Sequence, residues 1–129
     1  MGTATRSSIK TFRDLVTWER GHELVILVYQ ATNGFPSKEN FGLTSQMRRS
    51  ATSITSNIAE GFSRRNSPEK AQFYSMALGS LTELQSQILV ARDVNYIDKA
   101  TSDSLEGYSI TVHKLLNGLI KATRKNTTT

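Results

Sequence analysis

The positions of the two prolines limit the fold more than any other feature of this chain. Pro36 and Pro68 are the only prolines among 129 residues. A proline breaks a helix interior because it lacks the amide donor and clashes with the preceding turn. Both lie between long stretches free of helix breakers and therefore mark loops. This spacing predicts a small number of long helices.

Apolar residues recur at intervals of three and four in four of these stretches, as in amphipathic helices. The first helix is predicted from about Thr17 to Asn33, the second from a Thr44 N-cap to about Gly61, the third from a Ser67 N-cap to about Val94, and the fourth from an Asp98 or Thr101 cap to Lys121. Pro68 and Glu69 suit the first turn of the third helix, and Asn95 can close that helix in the left-handed conformation.

Four helices joined by short loops predict an all-α, antiparallel up-down-up-down four-helix bundle, since a short loop cannot return the chain to the other end. Residues 1–129 are interpreted as one domain with an ordered core at about 12–122 and flexible polar termini. The predicted apolar stripes are Trp18, Gly21, Val25 and Val28 in the first helix; Leu43, Met47, Ala51, Ile54 and Ile58 in the second; Phe73, Ala77, Leu81, Leu84, Ile88 and Ala91 in the third; and Leu105, Tyr108, Val112, Leu115 and Leu119 in the fourth.

Composition indicates the compartment. The chain has no cysteine, so disulfides and thiolate metal sites are excluded and a reducing cytoplasm is expected. No apolar run approaches the ~20 residues of a membrane-spanning helix, and the N-terminus lacks the apolar core of a signal peptide. We therefore expect a cytoplasmic protein with no membrane partner.

Enzymatic motifs are absent from the sequence. There is no G-x-G-x-x-G, phosphate-binding loop or nucleophile elbow, so we predict no catalytic residue, no cofactor and no small-molecule substrate. Glu60 and Glu83 could meet across the second and third helices for acid/base work, although structural polar contacts are the favoured interpretation. One half of a di-iron motif is present, with Glu19 three residues before His22, but Ile110 stands three residues before His113, so no metal is predicted.

A polar stripe runs along the second helix at steps of three and four: Gln46, Ser50, Ser53, Asn57, Glu60 and Arg64. Small hydroxyls and amides suggest a half-buried face, because a free surface usually carries Lys and Glu. The stripe fits either packing within the bundle, against Gly79-Ser80, or a subunit interface. We expect Asn57 and Glu60 to be buried and hydrogen-bonded, and the candidate partners are Gln46, Arg49, Ser80 and Glu83.

Basic residues concentrate at one predicted pole of the bundle. The chain has 16 basic and 11 acidic residues, a net charge of +5. The start of the first helix, the loop between the second and third, and the end of the fourth meet at one end. The basic residues there are Arg6, Lys10, Arg13, Arg64, Arg65, Lys70, Lys121, Arg124 and Lys125. The acids there are Asp14, Glu60 and Glu69, whereas the other pole is nearly balanced. This polarity predicts a nucleic-acid-binding surface of low sequence specificity.

Apolar residues off the main stripe of the third helix predict self-association. Met76, Leu78, Leu89 and Val90 lie outside that stripe, while a monomeric bundle needs only one buried face on each helix. We expect a second copy of the chain to cover these apolar side chains.

Several segments resemble a known family, the bacterial four-helix-bundle proteins encoded by intervening sequences in large-subunit ribosomal RNA genes. Accessory variability proteins of retroelements are related to it. The similar segments are Leu15-Val16-Thr17-Trp18, Phe35-Pro36, Phe41-Gly42-Leu43, Gln46-Met47-Arg48-Arg49, Asn57-Ile58-Ala59-Glu60-Gly61 and Gly79-Ser80-Leu81 with Glu83-Leu84. The resemblance implies a ring-shaped homopentamer and nucleic-acid association, with no established enzymatic activity. Arg48 and Arg49 join the candidate nucleic-acid contacts.

The leading functional prediction is a non-enzymatic oligomeric adaptor that binds RNA or DNA through its basic pole. The alternative is a structural or protein-binding homo-oligomer with no nucleic-acid role. Salt dependence separates them, because phosphate contacts release counterions and weaken as ionic strength rises.

Overall fold

Four helices and two 3-10 turns make up the structure, a computed structural model that describes residues 9–125. The helices are α1 (Val16–Thr32), α2 (Leu43–Ser63), α3 (Ser67–Asp93) and α4 (Lys99–Lys125), with 3-10 turns at Phe12–Asp14 and Ser37–Glu39. Each helix packs against its neighbour in sequence, and α1 also packs against α4. The short connections make consecutive helices antiparallel, so the predicted all-α four-helix bundle is confirmed.

The core lies along the bundle axis, where all four helices contribute side chains. Its largest fully buried apolar members are Leu24, Val28, Met47, Ile54, Ile58, Leu81, Leu84, Ile88, Leu105, Val112 and Leu116. The predicted stripes of α2 and α3 are buried apart from Leu43 and Phe73, which are half-buried.

The buried stripe of α4 differs from the prediction. Tyr108 is exposed, and the predicted Leu115 and Leu119 are half-buried. The buried residues are Ser102, Leu105, Ser109, Val112, Leu116, Ile120 and Thr123. The prediction took the apolar residue nearest to each interval of three or four residues. The helix buries the small polar Ser109 instead, because its position faces the core.

The first turns of α2 and α3 show which residues cap them. The Asn66 Oδ1 atom accepts a hydrogen bond from the Glu69 amide at 2.9 Å, so Asn66 is the N-cap of α3 and the predicted Ser67 is one residue late. A Glu39 Oε1 atom accepts from the Leu43 amide at 3.0 Å. This carboxylate serves the start of α2 in place of the predicted Thr44, which is buried inside the first turn.

The turn between α3 and α4 follows the prediction. Asn95 has φ of 66°, the Tyr96 amide donates to the Ala91 carbonyl at 2.9 Å, and the Asn95 amide donates to the Arg92 carbonyl at 3.1 Å. This is a Schellman motif, which satisfies the last carbonyls of α3. An Asp98 Oδ1 atom accepts from the Thr101 amide at 2.8 Å, which confirms Asp98 as the cap of α4.

The far end of α4 extends beyond the predicted limit. The helix continues through Lys125 rather than ending at Lys121, so residues 123–125 are helical where a flexible terminus was expected. Thr123 is still buried, which explains the extra turn. The other predicted flexible segments, residues 1–8 and 126–129, lie outside the described residues. Between residues 9 and 125, no helix is both long and apolar enough to cross a bilayer.

Candidate nucleic-acid interface

One end of the bundle carries most of the predicted basic residues. The 3-10 turn before α1, the connection from α2 to α3, and the last turns of α4 lie at this end because consecutive helices are antiparallel. We call the end the basic pole and define it by Lys10, Arg13, Arg64, Arg65, Lys70, Lys121, Arg124 and Lys125. Arg6, which was also predicted there, lies outside the described residues.

Two of these cations form contacts that stabilise the connection between α2 and α3. The Arg64 Nη2 atom donates to Glu60 Oε2 at 2.8 Å, and its guanidinium lies 4.5 Å from the centre of the Phe73 ring. The Lys70 Nζ atom donates to the Phe62 carbonyl at 2.6 Å, and burial lowers the pKa of this amine. Because an ammonium group stabilises the carbonyl end of a helix, Lys70 holds the end of α2.

Three other cations of the basic pole are open to solvent. Arg13, Arg65 and Lys121 are exposed, and none of them has an ion pair with any residue between 9 and 125. They come from three different elements: the 3-10 turn before α1, the connection between α2 and α3, and the end of α4. Exposed Arg124 and Lys125 extend the same end of α4.

The opposite end of the bundle pairs most of its charges locally. The Arg92 Nε atom donates to Asp93 Oδ1 at 2.8 Å, and Lys99 Nζ donates to Asp103 Oδ2 at 2.8 Å. The hydrogen bond from Arg92 holds the pKa of the Asp93 carboxyl below its ordinary value. The two ends of the bundle therefore differ in how many charged side chains form ion pairs, as well as in the number of basic residues.

Arg48 and Arg49 lie away from the basic pole, in the first half of α2. The Arg48 Nε atom donates to Thr32 Oγ1 at 2.8 Å, and Nη2 donates to Asn33 Oδ1 at 3.1 Å. Its guanidinium also lies 4.6 Å from the centre of the Tyr29 ring. Arg48 thus ties α2 to the end of α1. Arg49 is exposed on α2.

The polar stripe of α2 joins α2 to α3 within the chain. The Ser53 and Ser80 hydroxyls are 2.8 Å apart. The Asn57 Nδ2 atom donates to the Ser53 carbonyl at 2.9 Å and to its hydroxyl at 3.1 Å. Asn57 is half-buried rather than buried, and its partner is Ser53 rather than a residue of the predicted set. Gln46 is exposed.

Glu60 differs from the prediction, because its side chain is 50% exposed in the single chain. It lies on the outer side of α2 beside the exposed connection to α3, and its partner is Arg64 rather than a residue of the predicted set.

Glu60 and Glu83 do not form a catalytic pair. Ser53 lies opposite Ser80, and α2 and α3 are antiparallel, so Glu60 is level with residue 73 and Glu83 is level with Ser50. Ten helical residues separate these levels, about 15 Å at 1.5 Å for each residue. Glu83 is also exposed. Nor do three His, Asp or Glu side chains of residues 9–125 cluster where they could hold a metal ion.

An aromatic cluster beside the basic pole was missed at the sequence level. The rings of Phe12 and Trp18 meet edge to face with centroids 5.1 Å apart. The Trp18 and His22 rings stack at 4.8 Å with an interplanar angle of 11°. Trp18 was predicted in the apolar stripe of the first helix, and His22 was considered only as half of a di-iron motif. Their spacing of four residues, which places side chains side by side on a helix, is the signal that could have joined them.

Comparison with known proteins agrees with the fold. Residues 13–118 match the family model described as "23S rRNA-intervening sequence protein". A crystal structure of a Bacteroides thetaiotaomicron protein of unknown function from the S23 ribosomal protein family is similar, with a TM-score of 0.74 and 23% sequence identity. The similarity covers 82% of this chain and 99% of that chain. At this identity it supports the fold alone. No curated protein sequence matches the chain.

Proposed function

Since the chain belongs to the 23S rRNA-intervening sequence protein family, we propose that it is a non-enzymatic oligomeric adaptor that associates with RNA or DNA through the basic pole. The observation that carries this proposal is the convergence of Arg13, Arg65 and Lys121, each exposed and without an ion pair in residues 9–125, at one end of the bundle. Cations left unpaired by the protein can exchange their counterions for phosphates.

Self-association is the second part of the proposal. Met76, Leu89 and Val90 on α3 are between 39% and 50% exposed, so a single bundle leaves apolar side chains of α3 partly uncovered. Apolar surface of this kind favours contact with another subunit. We propose a closed ring of five copies, the state that the sequence resemblance implies. Cyclic symmetry would then place every basic pole on one face, which multiplies the electrostatic field there.

The cytoplasm is the proposed compartment. Its support is the absence of cysteine from the sequence, since proteins of oxidising compartments commonly rely on disulfides. Nucleic acid is also accessible there.

The test of nucleic-acid association compares two charge-matched variants. The first replaces Arg13, Arg65 and Lys121 with serine, and the second replaces Lys38, Arg92 and Lys99 at the opposite end. Both lose three positive charges. Binding of a short RNA duplex and a short DNA duplex is measured by fluorescence anisotropy at low and physiological salt.

We expect the first variant to lose at least tenfold in affinity, with a weaker dependence on salt, and the second to retain most of its binding. Phosphate contacts made by specific cations predict this difference, because each contact contributes to the salt slope. If the parent does not bind at low salt, or if both variants lose equal affinity, the basic pole is not the nucleic-acid-binding surface. Light scattering that gives a monomer mass at micromolar concentration would contradict self-association.

A protein-binding role without nucleic acid is the second candidate. Phe41, at the opposite end of the bundle, is 100% exposed, and such an aromatic side chain can anchor a protein partner. Salt-insensitive association with a partner protein, together with absence of nucleic-acid binding, would favour this candidate.

A further inference from the structure

The stacked rings next to the basic pole continue as a stripe along α1. Trp18, His22 and Tyr29 are separated by four and seven residues, so they fall within ~40° of one another around the helix. Phe12 extends the stripe through its contact with Trp18. We call these four residues the aromatic flank. Trp18 and Tyr29 are ~16 Å apart along the axis at 1.5 Å for each residue.

The flank is accessible to a ligand in the single chain. His22 and Tyr29 are exposed, and Phe12 and Trp18 are half-buried. The Trp18 ring covers one face of the His22 imidazole. Because His22 is exposed, a planar ring of a ligand can reach this pair and extend the stack.

Positive charge lies at both ends of the flank. Arg13 follows Phe12 directly and belongs to the basic pole. At the other end the Arg48 guanidinium lies over the Tyr29 ring. Its hydrogen bonds to α1 engage Nε and Nη2, which leaves Nη1 for an anion. The nearby acids Glu19 and Glu23 both accept from Arg20. Glu19, three residues before His22, is next to the flank, and Arg20 offsets its charge.

We propose that the aromatic flank binds single-stranded nucleic acid, with bases stacked on its rings and the backbone running between Arg13 and Arg48. Bases in a duplex already stack on one another and are closed to side chains, whereas unpaired bases can stack on aromatic rings. A row of rings with a cation at each end suits a strand whose unpaired bases stack on aromatic side chains and whose phosphates are negatively charged. This inference rests on the proposed function and names its substrate class.

The chain offers a direct probe and a matched control. Trp18 is the only tryptophan, so selectively excited tryptophan fluorescence reports on the flank alone. Tyr29 and Tyr108 are 40% and 38% exposed, and Tyr108 lies on α4, away from the flank. We therefore compare His22→Ala and Tyr29→Ala with Tyr108→Ala, after checking that all three melt as the parent does.

The ligands are a 12-nucleotide oligo(U), the corresponding oligo(dT) and an RNA duplex of the same length. We expect the single strands to quench Trp18 and to bind more tightly than the duplex. The His22 and Tyr29 variants should each weaken single-strand binding by about 5- to 150-fold, the range for loss of one stacked base, while Tyr108→Ala leaves it unchanged. The difference between oligo(U) and oligo(dT) shows whether the strand is RNA or DNA.

The two proposals fail in different ways. Equal affinity for duplex and single strand, unquenched Trp18 fluorescence, or unchanged binding by the His22 and Tyr29 variants would overturn the single-strand inference. The proposed function would survive that result if binding still depended on Arg13, Arg65 and Lys121. Absence of binding by every nucleic acid at low salt would overturn both.

Discussion

Replacing Gly61 with alanine is the sharpest available test of how α2 and α3 pack. A Cβ atom at position 61 would lie 2.7 Å from Tyr74 Cε1, 2.9 Å from Tyr74 Cδ1 and 3.1 Å from Phe73 Cβ. Tyr74 is only 2% exposed, and its ring cannot turn aside without displacing the core. Gly61 therefore lets the end of α2 approach the start of α3.

The magnitude follows from two opposing effects. Overpacking of a buried site costs about 1 to 3 kcal/mol. Alanine recovers up to ~1 kcal/mol of helix propensity relative to glycine, and less so close to the helix end. We expect Gly61→Ala to lower the free energy of unfolding by about 1 to 2 kcal/mol.

Gly118→Ala is the matched control for this substitution. A Cβ atom at position 118 meets no atom within 4 Å, so alanine there should raise the free energy of unfolding by about 0.5 to 1 kcal/mol. Urea unfolding followed by circular dichroism, at one protein concentration, gives both values. If Gly61→Ala is as stable as the parent or as Gly118→Ala, α2 and α3 do not need glycine at position 61 for their close approach.

Three further predictions test polar contacts. Leu43 and Tyr96 both donate to Glu39 and hold the pKa of its carboxyl below the ordinary 4.5. The stability that this carboxylate contributes is therefore present above that pH and lost as pH falls through the lowered pKa. Glu39→Gln should weaken the acid dependence of the urea midpoint, and an unchanged dependence would contradict this. Asn57→Leu removes two hydrogen bonds to Ser53 and should lower the unfolding free energy by ~1 kcal/mol, whereas an unchanged melting temperature would make the polar stripe ordinary surface. Asn95→Val should lower the free energy of unfolding measured in urea by about 1 to 3 kcal/mol, because a β-branched residue is strained at φ of 66°. Asn95→Gly should not lower it, and equal free energies for the two variants would refute that strain.

Local signals in the sequence were enough to predict the fold class and most helix limits. The spacing of Met47, Ala51, Ile54 and Ile58 identified a face that is fully buried. Asn95 was identified as a helix end because few other residues adopt positive φ readily. These features depend on short-range geometry, which the order of residues records directly.

Contacts that depend on the tertiary fold were harder to predict. Glu39 serves the start of α2 from outside that helix and also accepts from Tyr96, 57 positions away. The close approach at Gly61 depends on the position of Tyr74, which helix periodicity alone does not give. The aromatic flank combines a 3-10 turn with α1, so no single helical pattern contains all of it.

Arg64 and Arg65 show why pairing must be known before a basic surface is tested. They are adjacent in sequence and equivalent in charge, but Arg64 contacts Glu60 and the Phe73 ring whereas Arg65 has no ion pair within residues 9–125. Replacing both residues would disturb the connection between α2 and α3 and remove a free cation at once. A loss of nucleic-acid binding would then have two explanations. Replacing Arg65 together with Arg13 and Lys121 leaves the contacts of Arg64 intact, so a loss of binding reports on phosphate contacts rather than on the fold.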